Sequence, residues 1–460
     1  MKGPRSARVA EEIREELATI LAGEADDPRL RAATVNSVEV SSDLRRARVL
    51  LASPGPEHDP KDVLRAVRKA AGYLRHQLAQ ILNLRRMPEL VFEFDAGAQN
   101  AERIETLLGR ITKGKGRALS GILIVGLLWS AIALRSEEPP KPERYEASAS
   151  IMGSVYRIAA FGPKRGVLAS VIGAAFDEGR RIDAVLSNYR EDSELSGINR
   201  RAAAEAVEVT PEMGALLAKC LDYSRVSDGA FDVTVGPLMK LWGFYRGDGK
   251  VPGSYAIARA RRTIGYQNIE YDAAKRTVRF KTSGVEIDPG GIGKGYAVDR
   301  MAAILRDAGI GSAMISAGSS SMYAIGAPPD EPRGWHVRIR DPKDADVTAA
   351  ELYLKDQSLS TSGSYEKFFV ADGKTYSHIM DPRTGMPSEG VVAVSVLAPK
   401  TLDSEAWTKA FFVNGVEWSR RNRPKDFFVF LCSSGGRCGW VGAQPAALVP
   451  GSAHINQECD

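Results

Sequence analysis

The sequence predicts two folded regions in one chain, the first a small α+β domain, divided by an apolar segment. Three observations carry this. The chain has 460 residues, beyond the roughly 100–200 residues of one ordinary domain. An almost unbroken apolar run, LSGILIVGLLWSAIAL, fills 119–134 and leads into the charged, proline-rich RSEEPPKPE. Ahead of it, helical and strand-like hydrophobic patterns alternate within residues 1–113. A composition of 44% hydrophobic and 26% charged residues is that of folded, soluble material. The net charge of +5 is mildly basic and does not by itself argue for a nucleic-acid partner.

In the N-terminal region Val9, Ile13, Leu17, Ile20 and Leu21 recur at helical spacing, with Arg8, Glu11, Glu12, Arg14, Glu15 and Glu16 opposite them. Asp27-Pro28 ends that helix. Strands are expected at 33–40 (ATVNSVEV) and 46–52 (RARVLLA), a helix over 61–82 carrying Arg65, Arg68, Lys69 and Arg75, and a third strand at 89–94 (ELVFEF). Gly72 inside the long helix costs about 1 kcal/mol relative to alanine and marks a place for a kink. No nucleophile, metal cluster or glycine-rich phosphate loop occurs here, so the region reads as a binding module. RVAEEIREELATIL, DPRL, VEVSSDLRRARVLL, RKAAGYLRHQLAQILNLRRMPELVFEFD and RIETLL together resemble ribosome-binding factor A over the whole segment. The resemblance implies a KH-like fold with a helix kink at Ala70-Ala71-Gly72 and a role in late maturation of the small ribosomal subunit. It also implies that Arg45, Arg46, Arg65, Arg68, Lys69, Arg75, Arg85 and Arg86 meet RNA phosphates. The plain alternative for each is a solvated face of an amphipathic element.

Residues 114–145 read as a basic flank, a single membrane or signal helix and a linker. Lys113, Lys115 and Arg117 precede the apolar run and place the N-terminal region on the cytoplasmic side. The run is shorter than the roughly 20 residues of a standard membrane helix and long for a signal-peptide core. Ala131-Ile132-Ala133 resembles a signal-peptidase site. The expectation is a transferred C-terminal region outside the membrane, anchored through 119–134 or released by cleavage. A buried core helix is the alternative.

Beyond the linker, unusual clusters follow in a fixed order: Met152-Gly153-Ser154, LSNYREDSELSGIN (186–199), SDGAFDVTVGPLMKLWGF (227–244), EIDPGGIGKGYAVDR (286–300), ISAGSSSMYAIG (315–326), LSTSGSYEKFF (359–369), YSHIMDPRTGMP (376–387) and SEAWTKAFFVNG (404–415). The run Asp288 to Gly295 follows the strand-like VRFKTSGVEI and opens a helix over 296–305. Its glycines let the backbone approach a ligand, a helix N-terminus favours an anion, and Lys294 adds a point charge suited to phosphate. The spacing is neither a Walker loop nor a Rossmann fingerprint. A structural glycine turn, and a structural histidine at His378, are the plain alternatives.

Taken in order, the clusters resemble the ApbE family, the FAD:protein FMN transferases, across residues 146–445, with 446–460 as a tail. The resemblance implies an α+β fold and a Mg2+-dependent reaction. FAD is split at its diphosphate, FMN passes to a Thr or Ser hydroxyl of an acceptor protein, and AMP leaves. It implies His378 as the base; Met152, Tyr189, Ala230, Phe231, Asp232, Asp288, Lys294 and Ile379 against FAD; and the Gly291 carbonyl on the metal. The family's last motif has Asp and then Thr four residues on, both metal ligands. Here those positions are Glu405 and Lys409. Glutamate still ligates Mg2+, whereas a protonated lysine does not and sets a cation where the metal belongs. Asp403 and Thr408 lack the helical spacing of a matched pair. The chain carries no acceptor sequence of the Asp-Gly-x-Ser/Thr type, so the acceptor is expected to be a separate protein. An alternative of another class is a ribosome-assembly factor with a degenerate, non-catalytic flavin-binding domain. Cys432 and Cys438 flank a hairpin turn; a disulfide and two half-buried thiols are both open.

Overall fold

The computed structural model describes residues between 9 and 51 with several breaks, 59–82, 87–94 and 141–449 apart from 246 and 345. The apolar segment 119–134, Arg85 and Arg86 lie outside the described residues. Among those described, no helix is long and apolar enough to cross a membrane. The chain forms two compact units, residues 1–141 with 163–170 and residues 142–162 with 171–460, each described here by itself.

The smaller unit follows the expected order. Helical positions between 9 and 21 bury Val9, Ile13, Leu17, Ile20 and Leu21. Strands β1 (Val35–Val40), β2 (Arg46–Leu51) and β3 (Glu89–Phe94) form one sheet, antiparallel between β1 and β2 and parallel between β2 and β3. A parallel pair requires a crossover, and α1 (Pro60–Ile81) supplies it. Asp59 starts α1 by accepting the Lys61 N–H at 2.8 Å, with Pro60 in the first turn. The helix continues through Gly72 as a single element. Burial of Val63, Val67, Leu74 and Leu78 against the sheet outweighs the glycine's cost.

The larger unit is built on one antiparallel sheet whose spatial order repeats the chain order. Its strands are β4 (Glu143–Ile151), β5 (Ser154–Gly162), β6 (Ser312–Ala317), β7 (Ser321–Ile325), β8 (Gln357–Gly363), β9 (Val391–Ala398), β10 (Phe428–Ser433) and β11 (Cys438–Trp440). Helix α2 (Arg165–Leu186) and a long helical excursion separate β5 from β6 and end in α3 (Gly293–Asp307). Helix α4 (Thr401–Asn422) joins β9 to β10 and bends at Gly415, whose backbone is non-helical. α3 and α4 lie side by side on one sheet face, α3 over β6 and β7, α4 over β8 and β9.

The period of two along β8 explains that face. Ser358, Ser360 and Ser362 turn toward α4, where Ser404 and Thr408 meet them at 2.8–3.0 Å. Leu359 turns to the opposite side and joins an apolar layer with Ala324, Leu397, Phe430 and Trp440. That layer is covered by the hairpin Trp335–Arg340 and Thr348–Leu354.

Four boundaries differ from the sequence expectation. β4 already begins at Glu143, inside the expected linker. Residues 447–449 pair with the strand Thr348–Leu354, so the fold extends into the expected tail. Of VRFKTSGVEI only Val278, Arg279 and Phe280 are in a strand, Thr277–Phe280. α3 starts at Gly293 rather than Tyr296, which puts Lys294 in its first turn. Cys432 and Cys438 are opposed across β10 and β11 and form a disulfide, with Cα atoms 4.0 Å apart.

α3 and α4 are tied reciprocally. Asp299 of α3 accepts the Thr401 and Leu402 N–H groups at 2.7 and 2.9 Å, the role an N-cap side chain normally plays. Lys400, at the cap position itself, offers no acceptor. In return, Glu405 of α4 accepts the Gly295 N–H of α3. A Cβ on Gly295 would sit 2.5 Å from the Thr401 carbonyl oxygen and 2.7 Å from Glu405 Oε2, so only glycine allows the approach. Replacing Asp299 by Ala is therefore expected to cost about 1 kcal/mol of stability through lost capping, read as a lowered melting temperature of the full chain. An unchanged melting temperature would show that solvent caps α4 equally well.

Candidate active site

The site grows from the turn between Asp288 and Gly295. Asn199 clamps the chain just before it: its side-chain oxygen accepts the Ile287 N–H at 2.8 Å and its amide donates to the Ile287 carbonyl at 2.9 Å. The Asp288 N–H donates to the Val233 carbonyl at 2.7 Å. The Asp288 carboxylate then accepts the Gly290 N–H at 2.7 Å and the Tyr245 hydroxyl at 2.6 Å. Burial pushes the Asp288 carboxyl up, against the lowering effect of these two bonds.

Each glycine of the turn faces something different. A Cβ on Gly291 would lie 3.3 Å from the Phe231 ring and 3.9 Å from Lys409 Cε. One on Gly293 would lie 3.7 Å from Met152 Sδ. Met152 and Gly153 form the two-residue hairpin between β4 and β5, both with positive φ, as a type I′ turn requires. Asp183 holds Met152 there by accepting its N–H at 3.0 Å. The sequence clusters at 152, 231, 288–295 and 405–409 thus converge on one place.

Its electrostatics are cationic. Lys294 donates to the neutral Ser320 hydroxyl at 2.5 Å. Lys409 donates to the Glu405 carbonyl at 3.0 Å and lies 3.8 Å from Glu405 Oε1, while Oε2 is taken by Gly295. Burial lowers the Lys409 ammonium to about 8, opposed by Glu405 and helped by Lys294. It remains a cation at neutral pH. His378 feels the charge of both lysines. Burial lowers its imidazole to about 4, and the charges of Lys367, Lys409 and Lys294 add to that. A carbonyl only accepts, so His378 Nδ1, 3.0 Å from the Lys367 oxygen, carries the proton. Nε2 of the neutral ring is left with its lone pair.

Asp403 and Thr408 point elsewhere: Asp403 accepts the Tyr223 hydroxyl at 2.5 Å, and Thr408 faces Ser362. Glu405 and Lys409, in contrast, meet the Asp288–Gly295 turn, through the Gly295 N–H and beside Gly291. The resulting donor set does not suit Mg2+, which takes six oxygens at about 2.0–2.1 Å. Its carboxylate is already engaged on both oxygens, and its second side chain is an ammonium. Among the described residues no three His, Cys, Asp or Glu side chains converge as metal ligands.

Beside the turn, a cavity of about 450 Å3 is lined by Asn188, Tyr189, Lys240, Tyr245, Asp248 and Lys250. Tyr189 is 79% exposed and meets Tyr245 edge-on at 6.0 Å, so it stands on the rim as a ring available for stacking. Ala230 and Asp232 are buried. Asp232 spends its carboxylate on Thr234 and on the Tyr266 N–H at 2.6 Å. Ile379 is buried too, its N–H donating to Ser377 at 3.0 Å. The sequence reading passed over Tyr245, Lys240, Asn199 and Asp299. All but Tyr245 fall within clusters it quoted, and Tyr245 lies one residue past one.

The basic residues of the smaller unit divide by partner. Arg68 donates to the Phe92 carbonyl at 3.1–3.2 Å and Arg75 to the Met87 carbonyl at 2.9 Å, pinning α1 onto β3. Arg46 pairs with Glu89 at 3.6 Å and Arg65 with Asp62 at 3.3 Å. Arg45 and Lys69 are exposed.

Comparison with known proteins agrees with this geometry. Residues 5–108 match the family model of ribosome-binding factor A. Residues 152–424 match that of the ApbE family. A curated FAD:protein FMN transferase of Treponema pallidum is 31% identical, covering 60% of this chain and 80% of that protein. One from Salmonella typhimurium is 30% identical over 64% and 86%. The crystal structure of the ApbE protein from Thermotoga maritima aligns with a TM-score of 0.60 at 32% identity, covering 65% of this chain and 96% of that one. With its turn, its lysines and its histidine in the places that match covers, the chain belongs to the ApbE family.

Proposed function

We propose that the larger unit transfers FMN from FAD to a Thr or Ser hydroxyl of a separate acceptor protein. The observation that carries this is the convergence of Lys294 and Lys409 on the Asp288–Gly295 turn, beside a cavity with an exposed tyrosine, with a neutral His378 in the field of both lysines. The ammonium groups of Lys294 and Lys409 can each meet an anion's oxygens, and a diphosphate is the anion that FAD brings. The acceptor oxygen attacks the phosphorus of the FMN half, and a new O–P bond forms. The bond from that phosphorus to the bridging oxygen breaks, and the oxygen leaves with AMP. His378 Nε2 takes the hydroxyl proton and returns it to solvent. Lys294 and Lys409 hold the charge that moves onto the non-bridging and bridging oxygens.

The smaller unit is proposed to bind small-ribosomal-subunit RNA through phosphate contacts, with Lys69 better placed for it than Arg68 and Arg75. Residues 119–134 are proposed as the signal or anchor that carries the transferase unit to the extracytoplasmic side, leaving residues 1–113 in the cytoplasm. The acceptor is proposed to carry an Asp-Gly-x-Ser/Thr-type sequence.

Incubating the chain with FAD and such an acceptor should raise the acceptor mass by one FMN. FAD retained without any mass gain would favour a non-catalytic flavin-binding domain. His378→Ala should slow transfer by about 10²–10⁴-fold while FAD stays bound. A base must be unprotonated to act, and this imidazole is depressed to about 4. The transfer rate should therefore show no loss attributable to His378 from neutral pH down to near that value, and fall below it. A loss centred at the ordinary histidine value would remove His378 from the role. In the smaller unit, Lys69→Gln should reduce the slope of log affinity against log salt for RNA by about 0.7, while Arg68→Gln should act on stability instead.

A further inference from the structure

The metal-ligand position of the family's last motif is filled here by a side chain that carries its own positive charge. Lys409 Nζ is anchored twice on Glu405, through its carbonyl at 3.0 Å and its carboxylate at 3.8 Å. Its Cε approaches Gly291, whose carbonyl the family resemblance assigns to the metal. The same carboxylate is closed on its other side by the Gly295 N–H. An incoming divalent ion would have to displace one of these partners and sit against an ammonium. Lys294, in the same turn, is anchored by Ser320.

We propose that Lys409 takes the place of the divalent metal in this chain, so that FAD is bound and cleaved without one. The inference rests on the transferase reading of the same site. It makes Lys409 a catalytic residue: its ammonium meets the non-bridging oxygens of the FAD diphosphate and neutralises charge as the anhydride bond breaks. Nothing else in the balance changes. The acceptor oxygen bonds to phosphorus, the bridging oxygen leaves with AMP, and the proton passes through His378. A lysine is a weaker and less directional charge than a dication, and the second cation at Lys294 makes the arrangement workable.

The test uses the full chain stripped of metal, with three readouts in EDTA and in added Mg2+: FAD binding by flavin fluorescence, FMN transfer by acceptor mass, and retention of Mn2+ by electron paramagnetic resonance. The expected result is equal FAD affinity and equal transfer in both conditions, with no Mn2+ retained. Lys409→Thr should lower transfer in EDTA by about 10²–10³-fold, the loss seen on removing one transition-state charge contact. It should also regain activity and retain Mn2+ when metal is supplied. Transfer or FAD binding that appears only with Mg2+, or stoichiometric Mn2+ on the unaltered chain, overturns the proposal while leaving the transferase reading intact. Absence of transfer in every condition, with FAD still bound, overturns the transferase reading and with it the catalytic role of Lys409. Absence of FAD binding in every condition overturns both. These measurements on the unaltered chain decide the matter even if Lys409→Thr fails to fold.

Discussion

The contact on which the larger unit depends is the reciprocal tie between α3 and α4. Asp299 satisfies the first N–H groups of α4, and Glu405 of α4 satisfies an N–H of α3 at Gly295. Each helix thus completes the other's N-terminal region, where backbone donors otherwise lack partners. Gly295 sets the separation, since a Cβ there would run into the Thr401 carbonyl. Once the two helices are locked at that distance, Lys294 on one and Lys409 on the other face the same turn. The serine rows of β8 serve the same purpose from below, because small hydroxyl side chains let α4 settle onto the sheet while satisfying Ser404 and Thr408.

The tie also shapes the chemistry. Glu405 serves as a structural acceptor and as the counter-charge of Lys409 at once, so it has little left with which to hold a dication. The charges of Lys367, Lys409 and Lys294 nevertheless help burial to hold His378 neutral. A histidine fixed as Nδ1–H by the Lys367 carbonyl presents the lone pair of its other nitrogen. Cationic walls and a neutral base suit the proposed reaction: the lysines would attract the diphosphate and suppress protonation of the group proposed to accept a proton.

In the smaller unit the same type of side chain divides into two uses. Arg68 and Arg75 reach from α1 to the carbonyls of β3 and its approach, where a guanidinium bridges helix and sheet. Lys69, adjacent to Arg68 but turned outward, keeps its charge at the surface. Sequence pattern lists both as basic positions on one helix. Only the packing direction of α1, set by Val63, Val67, Leu74 and Leu78, separates them.

The sequence by itself determined the order of elements in the smaller unit, the hairpin at Cys432–Cys438 and the series of clusters that form the site. Hydrophobic period, turn residues and motif order are local properties, so they survive in a linear string. The i,i+4 spacing also placed Glu405 and Lys409 on one side of α4 and kept Asp403 and Thr408 off it. Tertiary structure alone decided the rest. The helix start at Gly293, the role of Asp299 and the clamp of Asn199 on Ile287 join residues far apart in the chain, and no local pattern announces such partners. The charge state and proton position of His378 arise from burial and from lysines contributed by other elements. The engagement of Glu405 by the Gly295 N–H follows from a helix crossing that only the folded chain possesses.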